Sequence, residues 1–305
     1  MHAFRPAVAG LLTVGLFTGL VAGCGTAPGR APVFNTPASV EPTPTPGRPA
    51  PAERLAVDTR TLDLARGDRP LPVSVWYPAD GDGPFPVVLF SHGLGGEPAD
   101  YRAVLTEWAA AGFVVAAPTY PFTSEGSGGN ALDVLNQPAD ASYVLDELLA
   151  LDELDGDELA GRLDVERVAA AGHSAGGITT VGMFTVARDE RLDAGVVLAG
   201  SALGVGTAFS GAAAPQLFIH GELDEVVSYA SGKAAYDRVP WPKAMLSLPD
   251  GDHGQSLLRP GNAAYDIVLD TSTEFLRWTL YGDPAARDRL AADVPAGVAV
   301  FDDQL

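Results

Sequence analysis

Residues 169–177 read AAAGHSAGG and place Ser174 between two glycines, in the order Gly172-His173-Ser174-Ala175-Gly176. The pattern G-x-S-x-G marks a nucleophilic serine only where a strand precedes it, a helix follows it, and an acid and a base lie later in the chain. Without that setting, the same residues are typical of a flexible turn or of a serine that caps a helix. The surrounding sequence therefore decides the interpretation.

Strand and helix patterns alternate on both sides of Ser174. Apolar or alternating runs predict strands at 71–79, 85–93, 113–121, 165–172, 194–200, 214–221 and within 243–254. Helical spacing of apolar residues predicts helices at 99–113, 138–154, 175–189 and 264–282. This alternation is typical of an α/β fold with a mostly parallel central sheet and helices on both faces.

Ser174 falls where the predicted strand 165–172 meets the predicted helix 175–189. Such a tight turn needs small neighbours, because side chains at 172 and 176 would collide as the backbone reverses. The hydroxyl would then lie at the positive end of a helix, where developing negative charge is favoured. In this setting we interpret Ser174 as a nucleophile.

A nucleophilic serine needs a base and an acid, in the chain order Ser, Asp, His. Of the five histidines, only His253 lies on a late loop beyond the last predicted strand. Asp224 follows the strand 214–221, with Glu222 and Glu225 as alternatives for the acid. A surface-loop histidine and a solvated acidic turn are the competing interpretations. We predict Ser174, Asp224 and His253 as the catalytic residues.

Acyl transfer also needs backbone donors for the negatively charged oxygen of the tetrahedral intermediate. One predicted donor is the amide of Ala175, directly after the nucleophile. The second should come from the glycine-rich loop 91–96, and we predict the amide of Leu94, with Gly95 as the alternative.

The connection after strand 194–200 is too short to hold a lid domain, so we expect an open site. The loop 119–138 is the expected cover, and its glycine-rich core at residues 126–130 should be mobile. Tyr120, Phe122 and Leu203 are candidates for an apolar acyl pocket, although ordinary packing would also explain each of them.

Four stretches, HGLGG, GHSAGG, HGELDEVV and GDHG, occur in this order and resemble the α/β-hydrolase superfamily. Within it, FPVVLFSHGLGG followed by WAAAGFVVAAPTYP resembles the branch of platelet-activating-factor acetylhydrolases, chlorophyllase-like and dienelactone-hydrolase-like proteins. The resemblance covers roughly residues 62–281 and implies the hydrolase fold and triad, but not the substrate. Dienelactone hydrolases use a cysteine nucleophile, and the single cysteine here is Cys24. We therefore do not expect that chemistry.

Residues 1–23 have the layout of a secretory signal, and LVAGC resembles a bacterial lipobox that ends at Cys24. An uncleaved membrane anchor is the alternative. We predict that residues 24–54 comprise the lipidated Cys24 and a Pro-rich spacer. The spacer cannot bury enough apolar surface to order itself. The predicted hydrolase domain spans residues 55–305. We expect an exported lipoprotein that faces outward from the cell membrane.

The formal net charge of −20 argues against nucleic acid as a partner, since phosphate binding needs clustered Lys and Arg. The acidic stretch 151–159 lacks the alternate-position spacing of an EF-hand loop, and a solvated helix end explains it better. A serine triad works without a metal or an organic cofactor, and we expect neither. We expect a monomer.

Three functions fit these observations. The first is a lipid-anchored serine carboxylesterase that acts on a small-molecule or lipid ester through an acyl-enzyme. The second is an amidase or peptidase with the same triad. The third is a surface lipoprotein that uses the fold to bind a ligand without catalysis.

Overall fold

The computed structural model describes residues 48–292, 294 and 297–305. The predicted signal, Cys24 and most of the predicted spacer lie outside the described residues. Residues near the end of the spacer already contact the domain: the carbonyl of Pro51 accepts a hydrogen bond from Arg277, and Arg54 pairs with Glu107. No helix among the described residues is long and apolar enough to cross a membrane.

The apolar runs of the sequence form one twisted sheet. The described strands are β1 (Val57–Arg66), β2 (Arg69–Pro78), β3 (Phe85–Ser91), β4 (Val114–Pro118), β5 (Leu163–His173), β6 (Leu192–Leu198), β7 (Gln216–Gly221), β8 (Lys243–Leu248) and β9 (Val300–Gln304). Their order across the sheet is β1-β2-β4-β3-β5-β6-β7-β8-β9. The strands from β4 to β8 in this order are parallel, and β1, β2 and β9 at the edges are antiparallel to their neighbours.

Helices cover both faces of this sheet. The described α-helices are α1 (Arg102–Ala110), α2 (Gln137–Leu149), α3 (Ala175–Met183), α4 (Tyr229–Arg238), α5 (Gln255–Leu258), α6 (Tyr265–Leu276) and α7 (Pro284–Ala292). On one face, Trp108 of α1 and Phe275 of α6 pack in one buried cluster with Phe90 of β3. On the other, Val144 of α2 shares a cluster with Val87 of β3. Because successive residues of β3 are buried on opposite faces, the strand reads as a continuous apolar run. The predicted fold class is confirmed.

The sequence interpretation missed five elements, namely β1, β9, α4, α5 and α7. The polar tail FDDQL, residues 301–305, illustrates the reason, because its sequence has no apolar pattern that would predict a strand. Val300–Gln304 instead pairs antiparallel with β8 as the edge strand of the sheet. Its side chains are exposed or only partly buried, so backbone pairing rather than apolar burial places it.

Parallel strands bring the chemistry-bearing loops to one edge. The loop 92–96 follows β3, Ser174 follows β5, Asp224 follows β7 and His253 follows β8. Parallel strands end on the same side, so these four positions meet beyond their carboxyl ends. Residues 199–215, between β6 and β7, contain neither helix nor strand, so no lid domain is inserted between these two strands.

A buried ion cluster holds the loop 119–138. Arg69 of β2 donates hydrogen bonds of 2.9 and 2.7 Å to Asp133 and of 2.9 Å to Asp140. Arg66 adds a 2.8 Å bond to Asp140. The carboxylate-bearing side chains of Asp133 and Asp140 are only 3 % and 0 % exposed. The part of this loop around Asp133 is therefore fixed to the sheet and to α2, outside the glycine-rich core 126–130 that we expect to be mobile.

We predict that Arg69→Met lowers the free energy of unfolding by about 3 to 5 kcal/mol, because it leaves buried carboxylates without their main cation. Urea denaturation followed by circular dichroism measures this change. As a matched control, Lys233→Met breaks the exposed pair with Asp237 on α4 and should cost less than about 1 kcal/mol. If the two variants lost equal free energies of unfolding, the result would contradict the larger stabilising contribution that we assign to the buried cluster.

Candidate active site

Ser174 forms the whole turn between β5 and α3, with φ of 57° and ψ of −119°. A residue with a side chain rarely adopts this conformation, and such strain is concentrated at functional sites. The flanking glycines are sterically required. A Cβ at Gly172 would lie 2.3 Å from the carbonyl oxygen of Gly176, and a Cβ at Gly176 would lie 1.9 Å from that of Ser91. The collisions expected from the sequence are present at both positions.

A chain of hydrogen bonds joins Ser174, His253 and Asp224. The Ser174 Oγ atom does not cap α3 and lies 2.8 Å from His253 Nε2. His253 Nδ1 lies 2.7 Å from Asp224 Oδ2. A carboxylate can only accept, so Nδ1 carries the proton and the lone pair of Nε2 faces the hydroxyl. This arrangement can remove a proton from Ser174.

The Asp224 carboxylate is enclosed, with its side chain 0 % exposed. Its Oδ1 atom accepts hydrogen bonds of 2.8 Å from the amides of Val226 and Val227, and its Oδ2 atom lies 3.2 Å from His220 Nε2. Burial by itself would raise the pKa of this carboxyl. The bonds from the His253 ring and the two valine amides outweigh burial and hold the pKa of Asp224 below its ordinary value.

The alternative acids Glu222 and Glu225 are exposed, and of these three acids only Asp224 binds the His253 ring among the described contacts. The side chains of Val226 and Val227 could in principle aim the carboxylate by packing beneath this loop. The side chain of Val226 is instead 71 % exposed. Backbone amides, not apolar packing, orient Asp224.

His253 lies on a short turn between β8 and α5 that has its own hydrogen bonds. Asp252 Oδ1 accepts bonds of 2.9 and 3.0 Å from the amide and hydroxyl of Ser256. The carbonyl of His253 accepts a 2.7 Å bond from His173 Nε2. The base is therefore held through its main chain as well as through its ring.

The two predicted donor amides have no hydrogen-bond partner within the described part of the chain. Leu94 lies on an exposed loop next to the turn, and Ala175 is the first residue of α3. The alternative, Gly95, uses its amide in a 2.6 Å bond to the carbonyl of Thr123. The Leu94 amide therefore remains the better candidate for binding a substrate oxygen.

Buried side chains shape the loop that carries Leu94. His92 Nδ1 donates a 2.8 Å bond to the carbonyl of Gly93, and His92 Nε2 accepts a 3.1 Å bond from the amide of Tyr120. Burial lowers the pKa of His92, which keeps this ring neutral. Tyr101 Oη accepts a 2.9 Å bond from the amide of Gly93.

Reasoning from the sequence assigned no role to His92, His173 or Tyr101. For His92 and His173, the sequence offered one indication of a role. His173 is adjacent to Ser174, and His92 lies in the loop that carries the predicted Leu94 donor. Tyr101 carried no signal, because a tyrosine inside a predicted helix is ordinarily part of the core. Tertiary contacts reveal all three.

The predicted acyl-pocket residues separate into two kinds. Tyr120 is completely buried, with its hydroxyl 2.8 Å from Ser91 Oγ, so it packs in the core and cannot line an open pocket. Phe122 and Leu203 are 43 % and 76 % exposed at the sheet edge that carries Ser174. The guanidinium of Arg69 stacks on the Phe122 ring at 5.2 Å.

A wide groove of about 1570 Å³ is lined by His253 but not by Ser174. Apolar side chains on its wall include Leu223, Val226 and Leu258, and the loop 252–255 forms part of the same wall. No cluster of three or more His, Cys, Asp or Glu side chains that could hold a metal ion occurs in the described part of the chain.

Comparisons with known proteins relate this chain to a family. A platelet-activating factor acetylhydrolase of Cavia porcellus is 28 % identical over 177 residues, which are 46 % of this chain and 40 % of that protein. The chain thus matches less than half the length of this curated relative. The chlorophyllase family model matches residues 50–218, a segment that includes Ser174 and stops before Asp224 and His253. Because this match covers more than half of the 305 residues, the chain belongs to the chlorophyllase family.

Proposed function

We propose that this protein is a serine carboxylesterase that works through an acyl-enzyme on Ser174. The family and the acetylhydrolase relative point to a lipase-like ester hydrolase. The observation that carries the finer proposal is the hydrogen-bond chain from Ser174 through His253 to Asp224, with distances of 2.8 and 2.7 Å. These three hydrogen-bonded residues supply a nucleophile, its base and the group that orients the base.

In the first half of the reaction, His253 Nε2 takes the proton of the Ser174 hydroxyl while Oγ bonds to the ester carbonyl carbon. The negative charge on the tetrahedral intermediate is stabilised by the amides of Leu94 and Ala175. Asp224 stabilises the imidazolium. The bond from carbon to the alcohol oxygen then breaks, and the proton passes from His253 to the departing alcohol.

In the second half, a water molecule gives a proton to His253 Nε2 and attacks the acyl carbon. The bond to Ser174 Oγ breaks, Oγ recovers the proton, and the free carboxylic acid leaves. The site returns to its starting state after consuming one ester and one water.

The groove at His253 suggests where each half of the substrate lies. The departing oxygen must come within hydrogen-bond reach of His253 Nε2, so the alcohol half extends toward the groove. The exposed apolar side chains of Phe122 and Leu203 lie on other loops of the same edge and suit a short or medium acyl chain. An open site of this kind accepts small-molecule or lipid esters.

We also propose that the protein is exported and anchored in the membrane through a lipidated Cys24, as the lipobox-like LVAGC motif indicates. Lipid chains on one residue convert a water-soluble domain into a membrane-bound one.

We predict that a fluorophosphonate probe labels Ser174 and that Ser174→Ala and His253→Ala lower kcat for p-nitrophenyl acetate by more than about 10⁴-fold. Mass spectrometry locates the label, and initial-rate assays give kcat. Ser127→Ala, on an outer loop, should leave kcat unchanged. A folded protein that neither takes the label nor hydrolyses a panel of esters and amides would refute the enzyme proposal in favour of ligand binding.

We predict that Asp224→Asn lowers kcat by about 10⁴-fold, because an amide N–H facing His253 Nδ1 forces the ring into the tautomer that cannot accept the Ser174 proton. The matched variant Glu225→Gln makes the same chemical change on the same loop and should retain wild-type kcat. If the two variants exchanged these effects, the acid would be Glu225.

We predict that Cys24→Ser moves the protein from the membrane fraction to the soluble fraction of cells that express the full chain. Immunoblotting after high-speed centrifugation measures the distribution. Ser39→Ala, within the predicted spacer, serves as the control and should stay with the membranes. Retention of Cys24→Ser in the membrane fraction would favour an uncleaved apolar anchor.

A further inference from the structure

We propose that Tyr101 and His173 are positioning residues that join the loop carrying the Leu94 amide to the loop carrying His253. Through this bridge, the donor for the substrate oxygen and the catalytic base are held in one fixed arrangement. The inference rests on the proposed function, because it assigns these two side chains to the same reaction.

Tyr101 provides the first half of the bridge. Its hydroxyl oxygen accepts a 2.9 Å bond from the amide of Gly93, the residue directly before Leu94. The same hydroxyl lies 3.0 Å from His173 Nδ1. The side chain is enclosed, with Tyr101 only 5 % exposed. One buried hydroxyl therefore fixes the backbone at Gly93 and contacts the residue before the nucleophile.

His173 provides the second half, and its partners determine its tautomer. Nε2 lies 2.7 Å from the carbonyl oxygen of His253, which can only accept, so Nε2 carries a proton. Nδ1 is then the acceptor for the Tyr101 hydroxyl proton. The three bonds run in one direction, from the Gly93 amide to Tyr101, from Tyr101 to His173, and from His173 to His253.

The surroundings keep this direction fixed. Burial lowers the pKa of His173 to about 4, and the bond to the His253 carbonyl opposes this shift only in part. The ring therefore stays neutral across the physiological range and keeps one donor and one acceptor. Its face also packs against the His253 ring, with 4.8 Å between the ring centroids.

The space between the two loops leaves little freedom. A Cβ added at Gly93 would lie 3.1 Å from Tyr101 Oη, 3.2 Å from Ser174 Cβ and 3.3 Å from His173 Nδ1. The Leu94 loop, the turn at Ser174 and the bridge therefore lie in direct contact. A shift of about 1 Å between catalytic groups can cost about 100-fold in rate, so a bridge of this kind has a kinetic consequence.

Tyr281 offers a matched control for a merely structural role. It is also 5 % exposed, and its hydroxyl donates to the carbonyl of Gly112, away from the loops that carry Leu94 and His253. Tyr281→Phe and Tyr101→Phe each remove one buried hydroxyl and its backbone hydrogen bond. They should lower the melting temperature by similar amounts, while only one of them should affect the reaction.

Steady-state kinetics with p-nitrophenyl acetate on the full chain test the bridge. We expect Tyr101→Phe to lower kcat by about 10-fold and His173→Phe by about 100-fold, each with KM changed by less than about threefold. His173→Gln retains an N–H that can reach the His253 carbonyl and should recover most of the kcat lost in His173→Phe. Tyr281→Phe should keep wild-type kcat.

A folded Tyr101→Phe variant that keeps wild-type kcat would overturn the proposal, as would an equal loss of kcat in Tyr281→Phe. If His173→Phe fails to fold, the comparison of Tyr101→Phe with Tyr281→Phe still decides the outcome.

A measurement without turnover separates this inference from the proposed function. Nitrogen-15 NMR of histidine-labelled protein should show His173 with its proton on Nε2 from pH 6 to pH 8, and Tyr101→Phe should change the Nδ1 signal. A proton on Nδ1 of wild-type His173 would refute the bridge even in an active enzyme. The expected tautomer in a protein without esterase activity would leave the bridge standing and refute only the proposed function.

Discussion

The contact between α3 and β3 at the turn is the constraint on which the site depends. The backbone at Gly176 approaches the carbonyl of Ser91 so closely that a single added methyl group would lie 1.9 Å from it. This approach brings the start of α3 over the end of β3, so the Ala175 amide and the Leu94 loop occupy the same edge. The left-handed φ of Ser174 then follows, because no extended residue could connect the two elements over so short a distance.

Around that turn, the buried polar groups of Asp224, His92 and His173 each have hydrogen-bond partners, whereas His220 Nδ1 has none among the described residues. The Asp224 carboxylate accepts bonds from two backbone amides and from His253, while the neutral rings of His92 and His173 each have one donor and one acceptor in use. An enclosed charge or ring without such partners would cost several kcal/mol. The hydrogen bonds that satisfy these groups also fix the position of each loop. The same contacts hold the groups that the proposed acyl transfer needs.

The surface around the site differs from the rest of this acidic protein. Exposed apolar side chains, among them Leu94, Phe122, Leu203 and Leu223, lie on the loops at the carboxyl ends of the strands. The formal net charge of −20 keeps the protein soluble and makes contacts with anionic surfaces unfavourable. For the proposed esterase, these features favour neutral, apolar esters over anionic ones as substrates.

The sequence alone determined the α/β class, the strand-turn-helix at Ser174, and the identity of Asp224 and His253 as the residues that meet it. Apolar periodicity is a local property and the order of residues is read directly along the chain, so neither needs the tertiary structure. It could not find β9, whose polar side chains carry no burial signal, or recognise that Tyr120 is a core residue. It also gave no sign of the bridge through Tyr101 and His173, since residues 72 positions apart become neighbours only through the parallel sheet. Tertiary structure decided these points, because hydrogen-bond partners and side-chain burial depend on the packing of distant segments.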